Sequence, residues 1–94
     1  MPQLLIIRPV HYLPGKREQA MQWARETEPV RRRWGMLSQV LVQGIADRNE
    51  HLFVQIWESP EAYNKWKASP DRARLVKESQ RLVAYDPTRL YEVI

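Results

Sequence analysis

Few side chains in this 94-residue sequence are equipped for chemistry, and the two histidines, His11 and His51, come first. An imidazole with its ordinary pKa near ~6.5 can take a proton around neutrality, and His11 ends a strand-like run whereas His51 lies in a polar turn. Cysteine is absent, which excludes disulfides, thiolate nucleophiles and Cys-rich metal sites. Paired carboxylates, a Gly-rich phosphate loop, a Ser-His-Asp order and a metal-ligand cluster are not visible either. Hydrolase, nucleotide-binding and metalloenzyme chemistry therefore have no support. The aromatic residues Trp23, Tyr63 and Trp66 fall at helical spacings, which suits either core packing or the walls of an apolar pocket.

Composition narrows the context. At 94 residues, 1–94 are expected to form one domain, with apolar surface for one core. A hydrophobic fraction of 44% with 28% charged residues is that of a globular protein, and no apolar run approaches the roughly 18 residues that span a bilayer. The opening MPQLLIIRPV reads as a strand and lacks the basic start and cleavage site of a signal peptide, so a cytoplasmic location is expected. The net charge of +4 favours anions weakly, because only Arg31, Arg32 and Arg33 are contiguous among the basic residues.

The elements that must position these side chains follow from periodicity. Leu4 to Tyr12 is a β-branched, apolar and aromatic run ended by Pro14-Gly15, the pattern of a strand entering a turn. Pro9 cannot donate to a ladder, so it requires a bulge, a strand end or an unpaired side. From Lys16 to Glu28, Ala20, Trp23, Ala24 and Thr27 share one helical face, and Pro29 predicts a kink or stop. Arg31 to Gly35 then leads to two strands, Met36 to Ala46 and Leu52 to Trp57, joined by a polar turn. Ser59-Pro60 and Ser69-Pro70 each place a capping hydroxyl before a first-turn proline, with Glu61 and Asp71 complementing the dipole. Helices over 60–67 and 70–81 and a final strand over 89–94 complete the chain.

Strand, helix, strand, strand, helix, strand is the split βαβ, ferredoxin-like plan, an α+β class with an antiparallel sheet. Helices in that plan cover one face of the sheet. Both faces of the hairpin are apolar, since Leu52, Val54 and Ile56 alternate with Phe53 and Trp57, and Val40 and Val42 alternate with Leu37, Leu41 and Ile45. An antiparallel sheet with a wet face would alternate polar residues there. A second copy of the sheet is the simplest cover, which predicts a homodimer; the alternative is that Gln39, Gln43 and Gln55 wet that face enough for it to stay exposed.

The stretch Trp57-Glu58-Ser59-Pro60-Glu61-Ala62-Tyr63, with Trp66, Ser69-Pro70 and the closing Asp86-Pro87-Thr88-Arg89-Leu90-Tyr91-Glu92-Val93, resembles the antibiotic biosynthesis monooxygenase family. That resemblance implies a dimeric α+β barrel, and an activity among quinone-forming monooxygenases, haem-degrading monooxygenases or relatives with no known reaction. The haem-degrading branch is similar in carrying a first-strand asparagine, a tryptophan and, ten residues on, an iron-ligating histidine. Here Trp66 matches, but the other two positions hold Ile7 and Val76, so haem is not an expected cofactor. The quinone-forming branch implies a cofactor-independent oxygenase whose pocket lies between sheet and helices. It needs an apolar cavity, a base and donors for a developing phenolate or enolate oxygen.

On that resemblance His11, Tyr63 and Asn64 are the catalytic candidates, with His11 the first choice of base and His11→Ala expected to abolish turnover. Arg8, Trp23, Trp57 and Trp66 are the substrate-binding candidates for a small quinol-like or anthrone-like aromatic. A dimer that binds such a ligand without reacting it is the alternative. The same element order also builds RNA-binding modules, but the run His51-Leu52-Phe53-Val54-Gln55-Ile56-Trp57 lacks the basic-Gly-aromatic pattern, so nucleic acid is not expected.

Overall fold

The computed structural model describes residues 2–94. In chain order the elements are β1 (Leu4–Tyr12), α1 (Arg17–Glu26), α2 (Glu28–Arg33), β2 (Met36–Gln43), β3 (His51–Trp57), α3 (Pro60–Lys67), α4 (Pro70–Ser79), β4 (Val83–Tyr85) and β5 (Arg89–Glu92). The sheet is antiparallel, ordered β2-β3-β1-β4, and β5 pairs with the other half of the β1 edge that β4 uses. β4 and β5 thus act as one edge strand broken at 86–88. This is the expected α+β ferredoxin-like architecture.

Two stretches depart from the sequence reading. Pro29 does not simply end the first helix: it sits in the opening turn of α2, where a missing N–H costs nothing, so 28–33 is helical instead of a connector. The three-residue β4, hidden in the apolar exit of α4, is a strand only because Val10, His11 and Tyr12 pair with it. Pro9 lies within β1, opposite Leu52. Its carbonyl accepts from the Asp86 N–H at 3.0 Å, and the N and O of a strand residue point the same way, so the missing donor faces the break between β4 and β5.

Helix starts are fixed by their caps. Ser59 Oγ accepts from the Ala62 N–H at 3.1 Å, and Ser69 Oγ accepts from the Arg72 N–H at 3.1 Å, with prolines next in line in both helices. Each cap contributes about 1 kcal/mol. Gly35, at φ +114°, turns the chain from α2 into β2 in a conformation that L side chains rarely adopt.

All helices lie on one sheet face, and the core beneath them is split in two. Leu4, Ile6, Met36, Trp57, Tyr63, Trp66 and Leu75 form one cluster; Val10, Ala20, Ala24, Phe53, Leu82 and Val83 form the other. Trp23 packs against both. A polar row separates them on the sheet: Arg8 on β1, Gln55 on β3 and Gln39 on β2 occupy helix-facing positions between apolar neighbours.

The opposite face carries Leu5, Ile7 and Pro9 on β1, Leu52, Val54 and Ile56 on β3, and Val40 and Val42 on β2. Val40 is 54% exposed and Tyr91, paired with Leu5, is 45% exposed. Gln39 and Gln55 do not wet this face, because both turn toward the helices.

Candidate active site

A cavity of about 130 Å³ sits over the polar row, between sheet and helices. Arg8 and Gln55 rise from the sheet, Trp23 and Arg31 close it from α1 and α2, and Trp66, Arg72, Leu75, Val76 and Ser79 descend from α3 and α4. Tyr85 and Thr88, at the β4 to β5 break, complete the lining. The strand break that accommodates Pro9 therefore also shapes the mouth of the cavity.

The site is rigidly braced. The Trp57 indole N–H donates to Gln55 Oε1 at 2.9 Å, the Gln55 amide donates to Gln39 Oε1 at 2.9 Å, and Gln39 donates to the Ala24 carbonyl at 3.2 Å. The first link is buried and the other two are half-buried, and such chains polarise one another. Arg8 donates to Thr88 Oγ1 and to the Tyr63 hydroxyl, both at 3.3 Å, and its guanidinium lies 5.3 Å from the centre of the Tyr85 ring. Trp23 is held by its N–H on Glu78 Oε1 at 3.1 Å.

The electrostatics are one-sided. Among the described residues three arginines, Arg8, Arg31 and Arg72, line the cavity and no acidic residue does. Arg31 is only 5% exposed, donates to the Ala24 carbonyl at 3.2 Å and stacks 5.2 Å from the Trp23 ring centre. Burial, with the nearby charge of Arg8 added, pulls its pKa down to about 10, so it remains a cation at neutral pH. Three acids on the surrounding helices are engaged elsewhere: Glu28 pairs with Arg32 at 3.1 Å, and Glu78 and Asp71 accept from the Trp23 and Trp34 indoles.

The sequence candidates divide around this cavity. Arg8, Trp23 and Trp66 line it. Trp57 is fully buried beneath it and reaches it through Gln55, while Tyr63, 4% exposed, touches Arg8 and packs edge-on against Trp57 at 5.3 Å. Asn64 points away on the exposed side of α3. His11 is not brought to this cavity: as an odd-numbered residue of β1 it lies on the face opposite Arg8, exposed and bonded to Asp86 Oδ2 at 2.9 Å. Arg31 and Arg72 were missed as site residues. In the sequence Arg31 read only as the start of the connector into β2, although Val30 in α2 and Trp34 just after it both pack inward.

Val76, at the position where haem-degrading relatives carry an iron ligand, lines the cavity beside Leu75. An aliphatic side chain cannot ligate iron, and no histidine joins it in the lining, so these residues do not fit haem held by that ligand. Among the described residues no group of three or more metal-ligating side chains occurs, and no helix is long and apolar enough to cross a membrane.

An open antiparallel sheet with helices on one face is the α+β ferredoxin-like fold. Residues 8–78 match the profile of the antibiotic biosynthesis monooxygenase family, and the chain belongs to that family. The fold is similar to SnoaB, a cofactor-independent oxygenase from Streptomyces nogalater, with a TM-score of 0.83 at 13% identity over 100% of this chain and 95% of that one. A protein assigned to the same family from Bordetella bronchiseptica has a TM-score of 0.80 at 17% identity, covering 100% of this chain and 97% of that one. Another such protein, from Chloroflexus aurantiacus J-10-fl, has a TM-score of 0.76 at 20% identity, covering 98% and 93%. At these identities the likeness concerns the fold. No curated relative matches the sequence.

Proposed function

We propose that the chain is a cofactor-independent monooxygenase acting on a small aromatic quinol in this cavity. The observation that carries the reading is the cavity itself: aromatic walls with cationic donors and no acid. Such a lining favours the ionised form of a bound phenol, because guanidinium groups in a poorly solvated site stabilise the developing oxyanion. A quinolate is electron-rich enough to reduce dioxygen without a cofactor. The balance closes with the substrate as sole reductant: hydroquinone and O2 give hydroxybenzoquinone and water, one oxygen atom replacing a ring hydrogen and the other leaving as water.

In this scheme Arg8 holds the phenolate oxygen, Tyr63 and Thr88 position Arg8, and Trp23 and Trp66 sandwich the ring and exclude water. With the substrate's own pKa lowered, its phenolic proton is lost to solvent as it binds and no side-chain base is required, which removes the role first given to His11. A volume of about 130 Å³ suits one ring better than the three of an anthrone, since an apolar cavity of comparable size, roughly 150 Å³, takes up benzene. The fold's exposed face supports a homodimer: an apolar strip spanning β1, β2 and β3 marks an interaction surface on an antiparallel sheet, and a symmetric copy covers it.

The test is oxygen uptake with 2-methylhydroquinone under 18O2. One labelled oxygen in a hydroxyquinone and one water per O2 is expected. Hydrogen peroxide with unlabelled quinone, at the rate seen without protein, would count against the reading.

A further inference from the structure

We propose that the cavity selects a single-ring aromatic carboxylate, with Arg31 and Arg72 as the handle for the acid group. This rests on the quinol reading above and names its substrate class more closely. The argument begins with a charge that the fold alone does not explain. Arg31 is only 5% exposed, yet it forms no ion pair among the described residues. Burying a cation without a counter-charge is costly, and proteins retain one where a ligand or partner supplies the opposite sign. Only one of its N–H groups is committed, to the Ala24 carbonyl, which already has a second donor in Gln39. The remaining donors belong to a residue that lines the cavity.

Arg72 enters the same space from the first turn of α4 and forms no ion pair either. Arg8, by contrast, is already tied to Thr88 and Tyr63. The cavity thus offers one braced guanidinium suited to a ring hydroxyl and two free ones suited to a second, fully charged group. A planar carboxylate accepts paired N–H donors from a guanidinium fork, and the flanking Trp23 and Trp66 rings fit a flat ligand. A neutral quinol would leave the buried Arg31 cation without a counter-charge. A quinol bearing a ring carboxylate supplies one while presenting its phenol to Arg8.

The experiment is calorimetric binding under nitrogen of 2,5-dihydroxybenzoate and its neutral twin, 2,5-dihydroxybenzamide, to the intact protein and to the variants Arg31→Gln and Arg72→Gln. The acid should bind more than ~10-fold tighter than the amide, as expected for hydrogen bonds between charged groups. The preference should collapse toward unity in each folded variant while amide affinity changes little; if Arg31→Gln fails to fold, Arg72→Gln carries the comparison. Equal affinities, no binding of either compound, or a preference that survives both substitutions would overturn the proposal. Oxygen uptake separates it from the broader reading. Turnover of neutral 2-methylhydroquinone without acid preference leaves the oxygenase standing and removes the handle, whereas acid preference without any turnover does the reverse.

Discussion

The two faces of one sheet are built from alternate residues of the same strands, and they differ in kind. The helix-covered face holds two apolar clusters separated by Arg8, Gln39 and Gln55, with the cavity over that row. The open face is almost uniformly aliphatic and carries His11 and its bond to Asp86 at one end. Polarity is therefore concentrated where water is excluded, and apolarity where the single chain leaves it exposed. On the proposed reading, ligand chemistry belongs to the covered face and association to the open one.

The largest expected effect breaks the covered face. Trp57 is fully buried, contacts Tyr63 and Trp66, and anchors the hydrogen-bond chain through Gln55. Trp57→Ala should cost about 3–5 kcal/mol in chemical denaturation. The matching disruption of the open face is Val40→Asp. Because Val40 is 54% exposed in the single chain, the substitution should leave secondary structure intact yet shift the species in analytical ultracentrifugation from dimer to monomer. A dimer of undiminished affinity would mean that another surface associates.

Smaller changes sharpen the contrast. Ser59→Ala removes the cap that sets α3, and with it the placement of Trp66, at a cost of about 1 kcal/mol. His51, at the rim of the covered face, stacks edge-on with Tyr12 at 4.8 Å, and burial followed by the charges of Arg17 and Arg48 lowers its pKa. Its neutral form is thus favoured in the folded state. The resulting stability is present above the ordinary histidine pKa of ~6.5 and is lost as pH falls through the lowered value. Thermal melts should decline across that acidic window by less in His51→Gln than in the parent protein.

How far the sequence reached follows the same division. Element order, both serine caps and the doubly apolar sheet were legible because each depends on neighbouring residues or on strict alternation. β4 was not, since Val83 to Tyr85 has no periodicity of its own and pairs only because β1 offers a partner. The cavity was half legible. Arg8, Trp23 and Trp66 stood out as types, but Arg31 read only as part of the connector into β2, and the alternative in which Gln39 and Gln55 wet the open face had their side chains on the wrong side. The signal was present in the polar interruption that Arg8 and Gln55 make in otherwise apolar helix-facing positions, with Gln39 beside them; a bulge between Met36 and Ser38 obscured its register on β2.

The claim that the covered face performs the chemistry is tested most directly by oxygen uptake with 2-methylhydroquinone in parallel on His11→Ala and Arg8→Gln. The account predicts near-normal turnover in the histidine variant and at least ~10-fold loss in the arginine variant, whose guanidinium meets the developing oxyanion. Loss in His11→Ala with turnover retained in Arg8→Gln would contradict it and move the active site to the open face.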